Sequence, residues 1–260
     1  MLSIHAVAIC NKGKVRDNNE DNLIFQSHIL DEIHEGIEGM WKQTSVNTNR
    51  PWLYGVFDGM GGHSKGEYAS YSSADVARKM MRNFQGNKDE IHDFLNSICI
   101  EANEKVCRKE QSENRIMGTT ASFIYIYEEE CWCCNIGDSP IFRIREGVLT
   151  EFYEEHTERK FREMIFGKDK VKGKKFPLTQ HIGIPKEEMQ IQPFYMSEQI
   201  KQGDQYLICS DGLTDMVSKE EILNIMRENT DIEEKILLLE QKAMEYGGRD
   251  NITIICVEVK

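Results

Sequence analysis

The chain of 260 residues is 40% apolar and 29% charged, a globular composition with material for a sizeable core. Its 32 Lys and Arg stand against 44 Asp and Glu, a formal charge of -12, which argues against a nucleic-acid partner and leaves carboxylates available for cations. No stretch reaches the roughly 18 apolar residues of a membrane span, and MLSIHAVAICNKGK lacks a signal-peptide cleavage pattern, so a single cytoplasmic domain over 1–260 with no membrane partner is expected.

β-branched and aromatic runs predict strands at 3–10 and 22–26, followed by an insertion over 27–52, and then a strand at 53–57. The last of these runs into VFDGMGGHSKGE, where Gly59, Gly61 and Gly62 supply the backbone angles of a tight turn and Ser64 stands three residues before Glu67, a capping-box spacing. His63 reads as hydrogen-bonding within that turn. A helix is predicted over 64–84, and a second carries an apolar stripe of Ile91, Phe94, Leu95, Ile98 and Ala102. Strands follow at 119–127, 131–136 and 141–145. Residues 152–180 read as a surface flap with five lysines between 168 and 175. Strands at 190–195, 205–209 and 251–258 complete the list, with a helix over EEKILLLEQKAMEY between the last two. Helices thus come in two blocks between runs of strands, which predicts an α+β fold of mostly antiparallel sheets with helices on their outer faces.

Acidic residues recur at the strand ends. Glu20 and Asp21 stand at the start of the 22–26 strand, Asp58 at the end of the 53–57 strand, Asp138 between two strands, Asp211 after a strand and Asp250 before the last one. A single Asp-Gly ordinarily holds its own turn. Five such corners on one edge of a sandwich would converge like charges that need cations, and oxygen-only ligation favours Mg2+ or Mn2+ over zinc.

The blocks GKVRDNNEDN, VFDGMGGHSKGE, MGTTAS, NIGDSP, LTQHIG, GDQYLICSDGLTD and GGRDNITIICVEV, in this order over residues 13–259, resemble the type 2C metal-dependent serine/threonine protein phosphatases, most closely their bacterial branch. The resemblance implies a central sandwich of two antiparallel β-sheets flanked by pairs of helices, a four-layer α-β-β-α arrangement with a metal centre at one end. It implies that Asp58 bridges two core ions, Mn2+ or Mg2+, with the Gly59 carbonyl, Asp211 and Asp250 as further direct ligands. Glu20 and Asp21 would act through water, Asp138 and Asp211 would anchor a third, weaker ion, and Arg16 would grip phosphate with two parallel donors.

The implied reaction is hydrolysis of phosphoserine or phosphothreonine in protein substrates by a water or hydroxide held between the two cations, opposing a serine/threonine kinase. The sequence departs from the family in places. Met60 stands where many eukaryotic members have a His, so the proton donor stays unassigned, and Pro140 stands where an Arg is common. Two other classes compete. One is a phosphoprotein-binding domain without turnover, against which Arg16, Asp58, Asp211 and Asp250 are all retained. The other is a cysteine-dependent phosphatase using Cys10, six residues before Arg16, although that segment lacks a preceding His and has one glycine. Cys131 and Cys134 of CWCC have a metal-like spacing but no second pair nearby.

Overall fold

The computed structural model describes residues 2–60, 65–84, 87–171 and 173–260. In chain order it contains β1 (Ser3–Asn11), β2 (Asp21–Phe25), β3 (His28–Ile29), β4 (Trp41–Asn47), β5 (Trp52–Met60), α1 (Gly66–Asn83), α2 (Ile91–Glu113), β6 (Gly118–Thr119), β7 (Ala121–Tyr127), β8 (Glu130–Ile136), β9 (Ile141–Arg145) and β10 (Val148–Glu151). There follow α3 (Arg159–Phe166), α4 (Lys168–Val171), β11 (Phe194–Gln199), β12 (Gln205–Cys209), α5 (Asp211–Thr214), α6 (Lys219–Met226), α7 (Ile232–Glu245) and β13 (Ile252–Val259).

The strands form two antiparallel sheets, ordered β10-β9-β12-β13-β1-β4 and β11-β8-β7-β5-β2-β3, with β6 added to the end of β5. Strand alternation sorts their side chains into three apolar cores. In β1, Ile4, Ala6, Ala8 and Cys10 face the core between the sheets, while Val7 and Ile9 turn to the outer core beneath α6 and α7. A third core joins Ile24, Phe57, Phe123 and Tyr125 to the inner faces of α1 and α2. Three cores separate four layers, so the expected α-β-β-α sandwich is the observed one. Each fully buried Ile or Phe in these cores stabilises the fold by about 1.5–3 kcal/mol. Among the described residues no helix is long and apolar enough to cross a membrane.

Several local expectations are corrected. Residues 41–47, inside the expected 27–52 insertion, form the edge strand β4 against β1. Their polar content, WKQTSVN, suits an edge and hides the strand from an apolar count. The expected 190–195 strand begins only at Phe194, because Pro193 cannot donate to a ladder. β9 turns into the unpredicted β10 through Glu146 (φ 51) and Gly147 (φ 71), two consecutive left-handed residues that match a two-residue hairpin. The 152–180 flap carries the short helices α3 and α4 rather than loop alone. β5 continues two residues past Asp58 instead of stopping there, since Gly59 and Met60 pair with β6. Gly61, Gly62, His63, Ser64 and the proposed Ser64 cap lie outside the described residues, as does Lys172 of the lysine run. α1 begins after Lys65, whose φ is 64 and whose side chain makes no cap.

Candidate functional site

Both sheets deliver acids to the same end of the sandwich. Asp21 and Asp58 are register partners, one at the start of β2 and the other near the end of β5. Asp138 follows β8 in the same sheet. In the other sheet Asp211 follows β12 and Asp250 precedes β13, which is antiparallel to it. The side chains share one electrostatic field. Burial first, and then the charges of Asp21, Asp211, Asp138 and Asp250, push the Asp58 carboxyl well above its ordinary range. Burial also raises Asp21 to about 7, against hydrogen bonds from Thr253 and Ser210, and raises Asp138 to about 7 with Asp211 adding to the effect. Asp211 is raised by burial although Lys175 opposes the shift, and Glu20 is raised by burial and by Glu67.

Hydroxyl and amide side chains fix this end of the fold. The Asp58 N–H donates to Thr120 Oγ1 at 3.0 Å, and the Asp58 carbonyl accepts from the Thr120 N–H and Thr119 Oγ1, both at 2.9 Å. Thr120 Oγ1 and Ser139 Oγ lie 2.6 Å apart, so the GTT and GDSP segments clamp each other and the backbone that carries Asp58. Ser210 Oγ and Thr253 Oγ1 donate to Asp21 Oδ2 at 2.7 and 2.6 Å, and Asn251 Oδ1 accepts from the Glu20 N–H at 2.8 Å. The sequence reading gave no role to Thr119, Thr120, Ser139, Ser210, Asn251 or Thr253. Their signal was present as hydroxyls and an amide inside otherwise apolar strand ends.

Gly59 is required for a reason other than the turn expected of it. A Cβ there would stand 2.3 Å from the Glu20 carbonyl oxygen and 2.4 Å from that of Gly66, so only glycine lets β2, β5 and α1 approach each other beside the acids. Arg16 Nη2 donates to Asp250 Oδ2 at 2.6 Å, and its side chain remains 44% exposed. Lys175 of the flap donates to Asp211 Oδ2 at 2.8 Å and also pairs with Asp215. Asp138, Asp211, Asp215, Lys175, Arg159 and Glu155 line a cleft of about 400 Å³. Among the described residues no three His, Cys, Asp or Glu side chains form a ready-made ion cage; Asp250 and Asp211 are each held by a protein cation. The donor set contains oxygen alone, which suits hard divalent cations.

The sulfur alternatives fail on geometry. Cys10 is buried in β1, and burial together with Asp21 pushes its thiol up to about 12, opposite to what a thiolate nucleophile needs. Cys131 faces the core between the sheets and Cys134 the core under α1 and α2, so a strand holds them on opposite faces and they share no site.

The same four-layer sandwich occurs in solved protein phosphatases. The serine/threonine phosphatase of S. agalactiae superposes with a TM-score of 0.83 at 24% identity, over 99% of this chain and 100% of that one. The catalytic domain of the phosphatase PstP, solved in complex with two manganese ions, matches with a TM-score of 0.80 at 24% identity, over 100% of this chain and 99% of that one. In sequence, the serine/threonine phosphatase stp of Listeria monocytogenes is 27% identical over 263 aligned residues, 98% of this chain and 96% of its own length. The family model described as Protein phosphatase 2C matches residues 40–240. The chain belongs to the protein phosphatase 2C family and is an enzyme of that class, as the sequence blocks had indicated.

Proposed function

We propose that this chain hydrolyses phosphoserine and phosphothreonine in proteins, with Mn2+ or Mg2+ as cofactor and a serine/threonine kinase as the opposing enzyme. One observation carries the reading: five aspartates from two sheets converge in one field next to a partly exposed arginine. Asp58, the Gly59 carbonyl, Asp211 and Asp250 would hold two divalent cations, with Asp58 shared, while Glu20 and Asp21 would act through water and Asp138 with Asp211 would hold a third. Two such cations would supply a hydroxide nucleophile near neutral pH and offset charge on the phosphoryl group.

The chain's own residues supply the rest. Arg16 has one nitrogen on Asp250 and five N–H donors in all, so it keeps donors for phosphate oxygens and would orient the ester over the acids. The Thr119–Thr120–Ser139 clamp holds the Asp58 carboxylate in place, because any drift of that backbone would break three hydrogen bonds. Ser210 and Thr253 both donate to Asp21 Oδ2, which fixes the orientation of that carboxyl opposite Asp58.

The test is turnover of a small phosphate ester and of a phosphothreonine peptide with Mn2+, with Mg2+ and with chelator, before and after thiol alkylation. Metal-dependent, alkylation-resistant turnover of both is expected. Chelator-resistant, alkylation-sensitive turnover would move the chemistry to Cys10, and tight phosphopeptide binding without turnover would make the domain a reader.

A further inference from the structure

We infer that Lys175 is a tethered cation that competes with the third divalent ion for Asp211, so that this chain fills its Asp138–Asp211 site only at high metal concentration. The inference rests on the reading of Asp138 and Asp211 as a cation site.

Lys175 is not a stray surface lysine. Its backbone sits in a stretch that the flap fastens on both sides: Arg159 Nη2 donates to the Lys174 carbonyl at 3.0 Å, and the Glu158 N–H donates to the Pro177 carbonyl at 3.1 Å. The Arg159 guanidinium also lies over the Phe176 ring. From this platform the ammonium reaches the wall of the 400 Å³ cleft and meets Asp211 and Asp215 together. Its charge is felt by Asp138 as well, where it opposes the upward push of burial. The ammonium therefore occupies Asp211, one of the two carboxylates assigned to the third ion, from inside the cleft that Asp138 also lines.

The pairing is built to be exchangeable. The Lys175 side chain is 61% exposed, so an incoming ion does not have to open a sealed core. Asp215 lies outside the proposed ligand set, so the ammonium retains a partner when Asp211 turns to a metal. A divalent cation replacing a monovalent one on Asp211 gains charge but must undo one charge-assisted hydrogen bond, and an exchange of that kind costs affinity without closing the site. The core ions share Asp211 with the third, but their common ligand Asp58 is in no ion pair among the described residues, so Lys175 bears less on them than on an ion that has only Asp138 and Asp211.

Calorimetric Mn2+ titration of the whole chain, wild type against Lys175→Met, tests this without reference to turnover. The variant keeps the apolar stem and loses the charge, so the weakest ion should bind about tenfold tighter, while the tight pair, which has Asp58 and Asp250 beside Asp211, should change less. Lys219→Met is the control: Lys219 lines the same cleft but pairs with Glu151, and its loss should leave all ions within about twofold. If Lys175→Met leaves the weakest ion unchanged while the tight pair persists, competition by Lys175 is wrong and the metal reading stands. An equal gain in Lys219→Met would also overturn it, because the effect would then be the general field of the cleft. Absence of any tight pair in the wild type would overturn the metal reading and this inference together.

Discussion

β12 has an aspartate at each end, and the two ends behave in opposite ways. Asp204, just before the strand, is fully buried and fully matched: Arg145 Nε and Nη2 donate to its two oxygens at 2.6 Å each, and the Lys201 N–H donates to Oδ2 at 2.6 Å. The hydrogen bond to Asp204, with the charges around it, raises the Arg145 guanidinium above its ordinary value. Asp211, just after the strand and roughly 20 Å away at the spacing of extended chain, joins an end where Asp58 meets four other aspartates. The Asp211 side chain is 23% exposed, yet burial still raises its carboxyl, so withdrawal from water alone does not set the two ends apart. The balance of charge does: Asp204 is answered by the Arg145 guanidinium, whereas among the described residues the aspartates of the other end receive ion pairs only from Lys175 on Asp211 and from Arg16 on Asp250, which leaves Asp21, Asp58 and Asp138 for an outside cation.

The comparison breaks most sharply at Asp58. Asp58→Asn removes the shared negative charge, and it should lose both tight ions in a calorimetric titration and lower kcat by on the order of a thousandfold. Without metal the same variant should be no less stable than the wild type, because it removes a repelled carboxylate. Asp138→Ala should keep the tight pair, lose the weak ion and lower turnover less. If Asp58→Asn still binds two tight ions, the assignment of the acidic end is wrong even if the protein is active.

At the opposite end, Asp204→Asn should leave metal titration untouched and destabilise the fold by about 2–3 kcal/mol, read by urea denaturation, because Arg145 is left with the longer 3.5 Å contact to Glu198. A change in metal affinity there would show that the two ends are coupled through β12. Between these in kind but smaller in effect is Arg16→Lys, which keeps the charge and loses the planar fork. It should lower kcat/KM about tenfold with metal affinity nearly unchanged, and an unaltered kcat/KM would take Arg16 out of the site.

The sequence exposed the acids more readily than the means of holding them. Asp58, Asp138, Asp211 and Asp250 were legible because each interrupts or borders a short apolar run, where a charge is conspicuous. The strands themselves were legible for the same reason, down to the 131–136 and 205–209 runs. β4 was not, since an edge strand has one covered side and can be written in polar residues. The turn expected at Gly59 is a strand instead, because a glycine needed for close approach looks the same in sequence as one needed for a turn, and the atoms it avoids belong to Glu20 and Gly66. Lys175 was visible only as one member of a lysine run. Its partner Asp211 is 36 residues away, and no local pattern singles out the one lysine that reaches it.

Asp75 offers a third case, and the smallest expected effect. It sits on α1 with its side chain 5% exposed, and it gathers Arg78 at 2.5 Å, Lys79 at 2.7 Å and, from α2, Lys105 at 3.1 Å. Burial alone would raise its pKa, but the hydrogen bonds from Lys79, Arg78 and Lys105 outweigh it and hold the carboxyl down at about 2. The folded value therefore lies below the ordinary value of about 3.9 for an unfolded Asp. It follows that the contribution is complete above about pH 5 and disappears as pH falls through 4 toward 2. The contribution is about 1–2 kcal/mol, because Lys79 is 63% exposed and its share is screened by water and salt. Asp75→Asn should thus lower the urea-denaturation free energy by that amount at pH 7, with the gap from wild type narrowing steadily below pH 4. A gap that stayed constant down to pH 2.5 would mean that Asp75 joins α1 to α2 by packing and neutral hydrogen bonds. Its cations would then be bystanders, and matched charge would not explain why this buried acid, unlike Asp58, needs nothing from outside the chain.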